Sequence, residues 1–457
     1  MIQLRPYQQA MIDEARAAYA RRVRAVLFQL PTGGGKTVTA STVVHGASQK
    51  GNVTWWLTHR RELASQASQT FHQLGIPHGT VQAGHVSNPG ASVQVASIQT
   101  IVRRLDQLPA PSLIIFDEAH HIGAASWDML FHRFPEARIL GLTATPWRLD
   151  GQGLGRWFGH MVSGPSTSEL IENGSLSRYR MFAPATPDLT GVGMAQGDYQ
   201  RGALARAMDK PAIVGDAISH YTRLCAGKRA VAFAAGVENS RHIAAQFNAS
   251  GIPAEHVDGE MAAHERDAAV ERFRAGQTLI LCNADLFGEG FDVPAIEAAI
   301  LLRPTKSLSL HLQQVGRALR PAPGKDVAII LDHAGNSLLH GLPDDPREWS
   351  LEDREKKRRG EAAEVSVRQC KECFFVYRPA PKCPQCGHVP PVQVRQIEQV
   401  EGDLAEVVRG EARAKFREQG KARSLDDLIR LGAQRGYKNP AFWARKVWSS
   451  RQGRVAT

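Results

Sequence analysis

Two tandem α/β domains, each built on a parallel sheet, then a small four-cysteine module and a helical tail, form the fold class this sequence predicts. Three observations carry it. Short apolar runs alternate with helix-like stretches through the first 340 residues, these runs fall into two sets, and the composition changes after Pro343-Asp344-Asp345-Pro346. Apolar runs separated by helical connections read as strands buried on both faces of parallel sheets. The first set lies at 25–30, 53–58, 93–97, 113–116 and 139–142; the second lies at 230–234, 278–282, 298–302 and 327–331. Residues 160–215, which mix Gly, Ser, Thr and Pro, show little periodicity and place a linker near 165–180. The predicted organisation is a first domain over 1–170 and a second over 171–345. A charged connector with the cysteine module follows over 346–395, and a basic helical tail over 396–457.

The 457 residues are 43% hydrophobic and 22% charged, with 41 Gly and 25 Pro, which excludes a disordered or collagen-like chain. No apolar run approaches the ~20 residues a membrane span requires. The opening Met1-Ile2-Gln3-Leu4-Arg5-Pro6-Tyr7-Gln8 lacks a basic stretch followed by an apolar core. The expectation is a soluble protein without a secretory leader, with no membrane partner, acting in the cytoplasm. The net charge of +11 is uneven, because residues 351–457 hold 23 Lys/Arg against 14 Asp/Glu. A near-neutral body with a basic last quarter fits either an appended polyanion-binding module or a solvated tail.

Gln29-Leu30-Pro31-Thr32-Gly33-Gly34-Gly35-Lys36-Thr37 follows a predicted strand and precedes a helical stretch. In that setting the backbone N–H groups at a helix N-terminus can wrap a triphosphate. Thr32, Gly33, Gly34 and Gly35 form the turn, Lys36 meets the β- and γ-phosphates, and Thr37 places its hydroxyl on Mg²⁺. Leu30 stands where the strict pattern has its first glycine. Downstream, Asp117-Glu118-Ala119-His120 follows the strand at 113–116, at the sheet edge where α/β ligands bind. Asp117 is the candidate Mg²⁺ holder and Glu118 the candidate activator of the attacking water. Together the two segments read as a nucleoside-triphosphate-hydrolysing site.

Over residues 1–335 the motifs recur in an order that resembles the superfamily 2 helicases and translocases. Arg5-Pro6-Tyr7-Gln8 resembles the Q-type adenine-recognition element, Thr58-His59-Arg60-Arg61-Glu62-Leu63-Ala64 resembles motif Ia, and Ser97-Ile98-Gln99-Thr100 resembles motif Ib. Lys36 and Thr37 fall in motif I, Asp117 to His120 in motif II, and Thr143-Ala144-Thr145-Pro146 in motif III. The stretch 231–235 resembles motif IV. Gly288-Glu289-Gly290-Phe291-Asp292-Val293-Pro294 resembles motif V, and Gln313-Gln314-Val315-Gly316-Arg317-Ala318-Leu319-Arg320 resembles motif VI. Motifs Ia and V look most like the RadD and XPB-type group, phage and prophage members included. Asn283-Ala284-Asp285-Leu286 lacks the threonine often found ahead of motif V.

The resemblance implies two RecA-like domains that take ATP and Mg²⁺ between them. It makes Arg5, Gln8, Gly290 and Asp292 nucleotide contacts, and Gln313, Arg317 and Arg320 catalytic groups reaching across from the second domain. His120 and Gln313 are the expected sensing pair. Arg60, Arg61, Thr100, Thr143 and Thr145 are the expected nucleic-acid contacts, with coupling of hydrolysis to motion as the alternative role of Thr143 and Thr145. The implied activity is ATP-driven movement on, or remodelling of, DNA in repair, recombination or phage replication. The implied partners are single-stranded or branched DNA and a single-strand-binding or repair protein, in a bacterial or phage-infected cell. Two other readings share these motifs: an ATP-switched adaptor with negligible turnover, and the motor subunit of a restriction complex.

Cys370-x-x-Cys373 and Cys383-x-x-Cys386 are two short hooks that suit one tetrahedral Zn²⁺ held by four thiolates. Such closed sites are structural, and disulfides, the alternative, are rare inside cells. Cys225 and Cys282 sit alone in apolar surroundings as core residues. Phe374, Phe375 and Tyr377, beside Lys371, Arg378 and Lys382, suit either base stacking or a ribbon core, and the core is expected for at least two of them. After a capping box at Ser424 and Asp427, Gly436 stops one helix and Asn439-Pro440 starts the last. Arg435, Lys438, Arg445, Lys446, Arg451 and Arg454 stand there beside Trp443 and Trp448, as a DNA face, a partner-docking face, or packing against the ribbon. Pro343-Asp344 with Glu355-x-Lys357 mimics a metal-nuclease signature, but this polar stretch has no strand to bring the carboxylates together.

Overall fold

The computed structural model describes residues 3–59, 61–82, 85–121, 123–148, 151–184, 186–195, 197–284, 296–353, 367–390 and 418–452. Among these, the first sheet has eight strands: β1 (Ala25–Gln29), β2 (Thr54–Thr58), β3 (Gly79–Gln82), β4 (His85–Ser87), β5 (Val93–Ser97), β6 (Leu113–Phe116), β7 (Arg138–Thr143) and β8 (His160–Ser163). Their order is β4-β3-β5-β2-β6-β7-β1-β8, parallel except for the β3–β4 pair. The central strands are buried along their whole length because both faces carry helices. Adjacent tryptophans on β2 show the alternation: Trp56 meets Phe71 in one core, and Trp55 meets Phe134 in the other.

The second sheet draws on β9 (Arg178–Phe182), β12 (Ala230–Ala234), β13 (Ala254–Val257), β14 (Ile280–Asn283), β15 (Ala298–Leu302) and β16 (Val327–Asp332). Its order is β13-β14-β12-β15-β16-β9, parallel throughout. A small hairpin, β10 (Met194–Ala195) and β11 (Asp198–Tyr199), stands apart from it. This is the tandem RecA-like architecture. The stretch 160–215 holds more order than its composition suggests: β8 closes the first sheet, β9 closes the second, and helices Arg201–Met208 and Pro211–Cys225 follow. Edge strands with one wet face keep polar residues, so no apolar run announces them. The crossing between the sheets contains a short helix, Thr167–Glu172, closed by a capping box between Ser166 and Glu169.

Beyond the second sheet the chain returns to the first domain. The indole N–H of Trp147 donates to Glu352 O at 3.1 Å, Gly155 N donates to Leu351 O at 2.8 Å, and Trp147 and Trp349 lie 4.9 Å apart. Gly153 is required there, since a Cβ would sit 2.0 Å from Leu351 O. The cysteine module follows, with β17 (Arg368–Gln369) and β18 (Val376–Tyr377) as a hairpin. It is bonded to the second domain. Phe182 bridges Phe375 antiparallel, their rings lie 5.5 Å apart, and Ala183 N donates to Phe374 O at 2.9 Å. Val367 and Val376 sink into the second domain's core.

The C-terminal unit is a pair of helices, Leu425–Gln434 and Pro440–Gln452. Ser424 and Asp427 form the capping box, Gly436 turns the chain at φ +70°, and Asn439 Oδ1 accepts from Phe442 N at 3.1 Å. Among the described residues no helix is long and apolar enough to cross a membrane.

Candidate active site

From β1 the chain turns through residues 31–35 into helix Lys36–Ser48. Gly33 and Gly35 hold φ of +86° and +89°, where a side chain would be strained. Gly35 is also crowded, as a Cβ there would lie 2.5 Å from Gln8 Nε2. Gln8 is buried and donates to Gly35 O at 3.4 Å, while the Tyr7 hydroxyl donates to Gly34 O at 2.8 Å. Arg5 joins them: its backbone N–H donates to Gln8 Oε1 at 2.9 Å and its guanidinium to the Tyr7 hydroxyl at 3.1 Å. The first helix therefore presents Arg5, Tyr7 and Gln8 to the glycine loop. Lys36 Nζ donates back to Leu30 O at 3.1 Å, and Thr37 follows it in the helix's first turn. Burial lowers the Lys36 pKa, while Glu118 and Asp117 act to raise it.

Strand β6 delivers those two carboxylates. Glu118 adopts φ +49°, an uncommon backbone for a non-glycine residue and one found at functional sites. Its N–H donates to Asp117 Oδ1 at 3.1 Å. Burial and the adjacent Glu118 push the Asp117 carboxyl up to about 7, against the pull of Lys36. Two acids beside one lysine in a dry site fit a divalent cation. Glu118 Oε2 is buried with no hydrogen-bond partner among the described residues, and His120 Nδ1 lies 3.6 Å away. A carboxylate oxygen held so can accept a proton from water.

Contact then passes to the second domain. His120 Nδ1 lies 2.8 Å from Thr143 Oγ1, and its Nε2 lies 3.2 Å from Ser309 Oγ on helix Leu308–Ala318. The Thr145 hydroxyl donates to Ser309 Oγ at 2.8 Å, and the Thr143 hydroxyl to Thr145 O at 2.7 Å. Gln313, one turn beyond Ser309, is buried with its amide nitrogen unpartnered among the described residues. Gly316 rests on the glycine loop, where a Cβ would come 2.6 Å from Thr32 Cβ. Arg317 and Arg320 both act to lower the Lys36 pKa, so their charges lie within electrostatic reach of the loop. Lys325 Nζ donates to the Ala318 carbonyl, and to Ile296 O and Arg320 O at 2.7 Å each, clamping the end of this helix.

Residues 1–148 match the family model of the type III restriction enzyme res subunit, and residues 212–322 match the helicase conserved C-terminal domain. A 51.5 kDa protein of a Lactococcus phage is 35% identical over 364 residues, 79% of this chain and 77% of the phage protein. The chain belongs to the superfamily 2 helicases. The putative ATP-dependent helicase IRC3 of Saccharomyces cerevisiae is 31% identical to it over 74% of this chain; the chain spans 52% of the yeast protein's length. The DNA 3'-5' translocase XPB2 of Sulfurisphaera tokodaii is 26% identical, with 70% and 79% covered. A fragment of a putative HsdR subunit of a type I restriction enzyme from Vibrio vulnificus YJ016 shares the fold at TM-score 0.57 and 23% identity, with 74% and 67% covered.

Thr143 and Thr145 are 0% and 3% exposed, and their hydroxyls bond within the cleft. They stand between the two domains, where they link His120 of the first to Ser309 of the second. Thr100 bonds Ser97 at 2.8 Å, and neighbouring Gln99 donates to His59 O at 3.2 Å, tying motif Ib to motif Ia. Arg61 opens helix Arg61–Gln73. Arg60, Gly290 and Asp292, with all of motif V, lie outside the described residues, as do Glu355 and Lys357. Asp344 accepts from the Tyr179 hydroxyl and pairs with Arg378 at 3.1 Å, a structural role unlike a nuclease ligand's.

The Sγ atoms of Cys370, Cys373, Cys383 and Cys386 all lie within 4.8 Å of one another, with Cys370–Cys386 at 3.6 Å and Cys373–Cys383 at 3.8 Å. Tetrahedral zinc with ~2.3 Å bonds to sulfur has edges of about 3.8 Å, so the four thiols fit it. Gly387, at φ +75°, closes the second hook by donating to Cys383 O at 2.9 Å. Tyr377 is buried in the ribbon and Phe375 packs on Phe182, so two of the three ribbon aromatics are core.

Proposed function

We propose that this helicase hydrolyses ATP in the cleft between its RecA-like domains and uses the cycle to move along, or remodel, DNA. The observation that supports it most is the polar line from Glu118 through His120, Thr143 and Thr145 to Ser309, which joins a candidate water-activating acid to the opposite domain. The backbone of Gly33, Gly34 and Gly35, with Lys36, would hold the phosphates. Thr37 and Asp117 would hold Mg²⁺, which supplies charge neutralisation when bound. Glu118 takes the proton of the attacking water. Arg317 and Arg320 face the charge that develops on the transferring phosphoryl group, an effect worth ~10³–10⁵ in rate in related enzymes. Loss of that charge removes what draws the arginines in, and the domains part.

DNA is favoured as the polymer because XPB2, named a DNA translocase, resembles this chain over most of both lengths. The four cysteines would hold a structural zinc. The test separates a motor from an ATP-switched adaptor. Glu118→Gln is expected to bind ATP as the wild type does while turnover falls about 100-fold or more, the loss of a general base. Turnover that survives this change would contradict the reading.

A further inference from the structure

Helix Pro440–Gln452 has two sides of opposite chemistry. Trp443 and Ala444 face the partner helix: a Cβ on Gly432 would come 3.0 Å from the Trp443 ring, the Tyr437 ring lies tilted against it at 5.0 Å, and Ala444 is fully buried. The other side presents Phe442, Arg445 and Lys446, and Lys438 stands in the turn just before the helix; all four are exposed. Residues three and four apart share a helix face, so the cations at +3 and +4 flank Phe442. Phe442 itself is 68% exposed.

The charge around it has one sign. No Asp or Glu occurs from residue 428 to residue 457. Of the acids before it, Asp427 caps at Ser424 and Glu418 pairs with Arg435 at 3.1 Å. An open aromatic ring flanked by cations complements a strand of flat bases and anionic phosphates. A peptide's apolar anchor would need a concave pocket, whereas Phe442 stands out from the surface. We infer that this face is a stacking platform for single-stranded DNA, with a base on Phe442 and phosphates on Lys438, Arg445 and Lys446, an inference that rests on DNA being this helicase's polymer.

The test titrates the full-length protein into a fluorescein-labelled oligothymidylate and follows anisotropy over a range of salt. Phe442→Ala is expected to weaken binding about fivefold or more, as loss of one base–aromatic stack does. Phe442→Trp should retain affinity and Phe442→Leu should not, which separates stacking from apolar contact. Arg445→Ala with Lys446→Ala should flatten the slope of log affinity against log salt by roughly 1.4, two single-strand phosphates' worth. Thermal melts should match the wild type, since these side chains are exposed. Tight wild-type binding with the same affinity and salt slope in every variant would overturn the platform and leave DNA as the polymer. Failure of the wild type to bind DNA of any kind would overturn both. An acidic peptide that binds the wild type and not Phe442→Ala, with DNA binding unchanged in that variant, would assign the face to a protein and overturn the platform.

Discussion

The second RecA-like domain meets its two neighbours through opposite chemistry. Toward the first domain it presents the Ser309 hydroxyl to Thr145 and His120, and the bare backbone of Gly316 to Thr32. Each such hydrogen bond contributes about 1 kcal/mol net, so it can break and re-form in a cycle. Toward the ribbon it presents a backbone bridge, the Phe182–Phe375 ring pair, and a core that takes in Val367 and Val376. Separating that side would expose apolar surface at about 25 cal/mol per Å². The difference teaches that the ribbon belongs to the second domain as one body, while the cleft takes up the proposed motion. The return segment at 349–353 then makes a second tie, beyond the linker, between the moving halves.

The largest break in this comparison would come from removing zinc. Structural zinc sites supply an apparent ~10–16 kcal/mol of binding free energy, so chelation or Cys383→Ser is expected to unfold the ribbon and destabilise the second domain with it. Calorimetry should show the second domain melting earlier while the first keeps its transition. A second domain that melts unchanged would mean the ribbon is an independent appendage.

Phe375→Ala tests the same interface without touching the thiols. It is expected to cost about 2–3 kcal/mol, below the ~3–5 kcal/mol of a fully buried phenylalanine because the ring is only half-buried. Denaturant unfolding would measure it, with zinc content unchanged. On the cleft side, Ser309→Ala removes the acceptor of the Thr145 hydroxyl and the partner of His120. Its stability cost should be about 1 kcal/mol. If that bond is stronger in the transition state by about 1.4 kcal/mol, turnover falls about tenfold, and Ser309→Thr should retain it. Equal turnover in Ser309→Ala would remove the polar line from the mechanism.

The last test of the ribbon side concerns pH. His333 is buried beside His220, whose ring lies 5.2 Å away, and His220 in turn lies 5.8 Å from Phe374 of the ribbon. Burial, then the charge of His220, push His333 down to about 3 from its ordinary 6.5. Between those values the unfolded chain takes up a proton that the folded one refuses, so stability falls as pH drops below about 6.5 and is unaffected above it. Melting curves from pH 7 down to 4.5 should show this decline, and His333→Gln should lessen it, with the remainder from His311, which burial also holds well below 6.5.

The motor's centre was legible because its chemistry is local in sequence. The buried strands are continuous apolar runs, the glycine loop and Asp117-Glu118 each occupy one short segment, and the cysteine hooks carry their own spacing. What escaped depends on distant packing. Ser309 and Lys325 are ordinary residues until the fold brings them to His120 and Arg320. Strands β3, β4, β8 and β13 are short and partly polar because they lie at or near sheet edges. The ribbon's attachment needs Phe182 and Phe375, about 190 residues apart, to meet, and no local pattern signals that. Thr143 and Thr145 lie where the motifs place them, yet only the fold shows that their hydroxyls bridge the cleft.

The most direct test is steady-state ATP turnover of the wild type and Lys36→Ala, without polymer and with single-stranded, duplex or forked DNA, or RNA. The account predicts turnover that DNA stimulates strongly and that Lys36→Ala abolishes. Wild-type turnover no higher than that of Lys36→Ala with every polymer would contradict it.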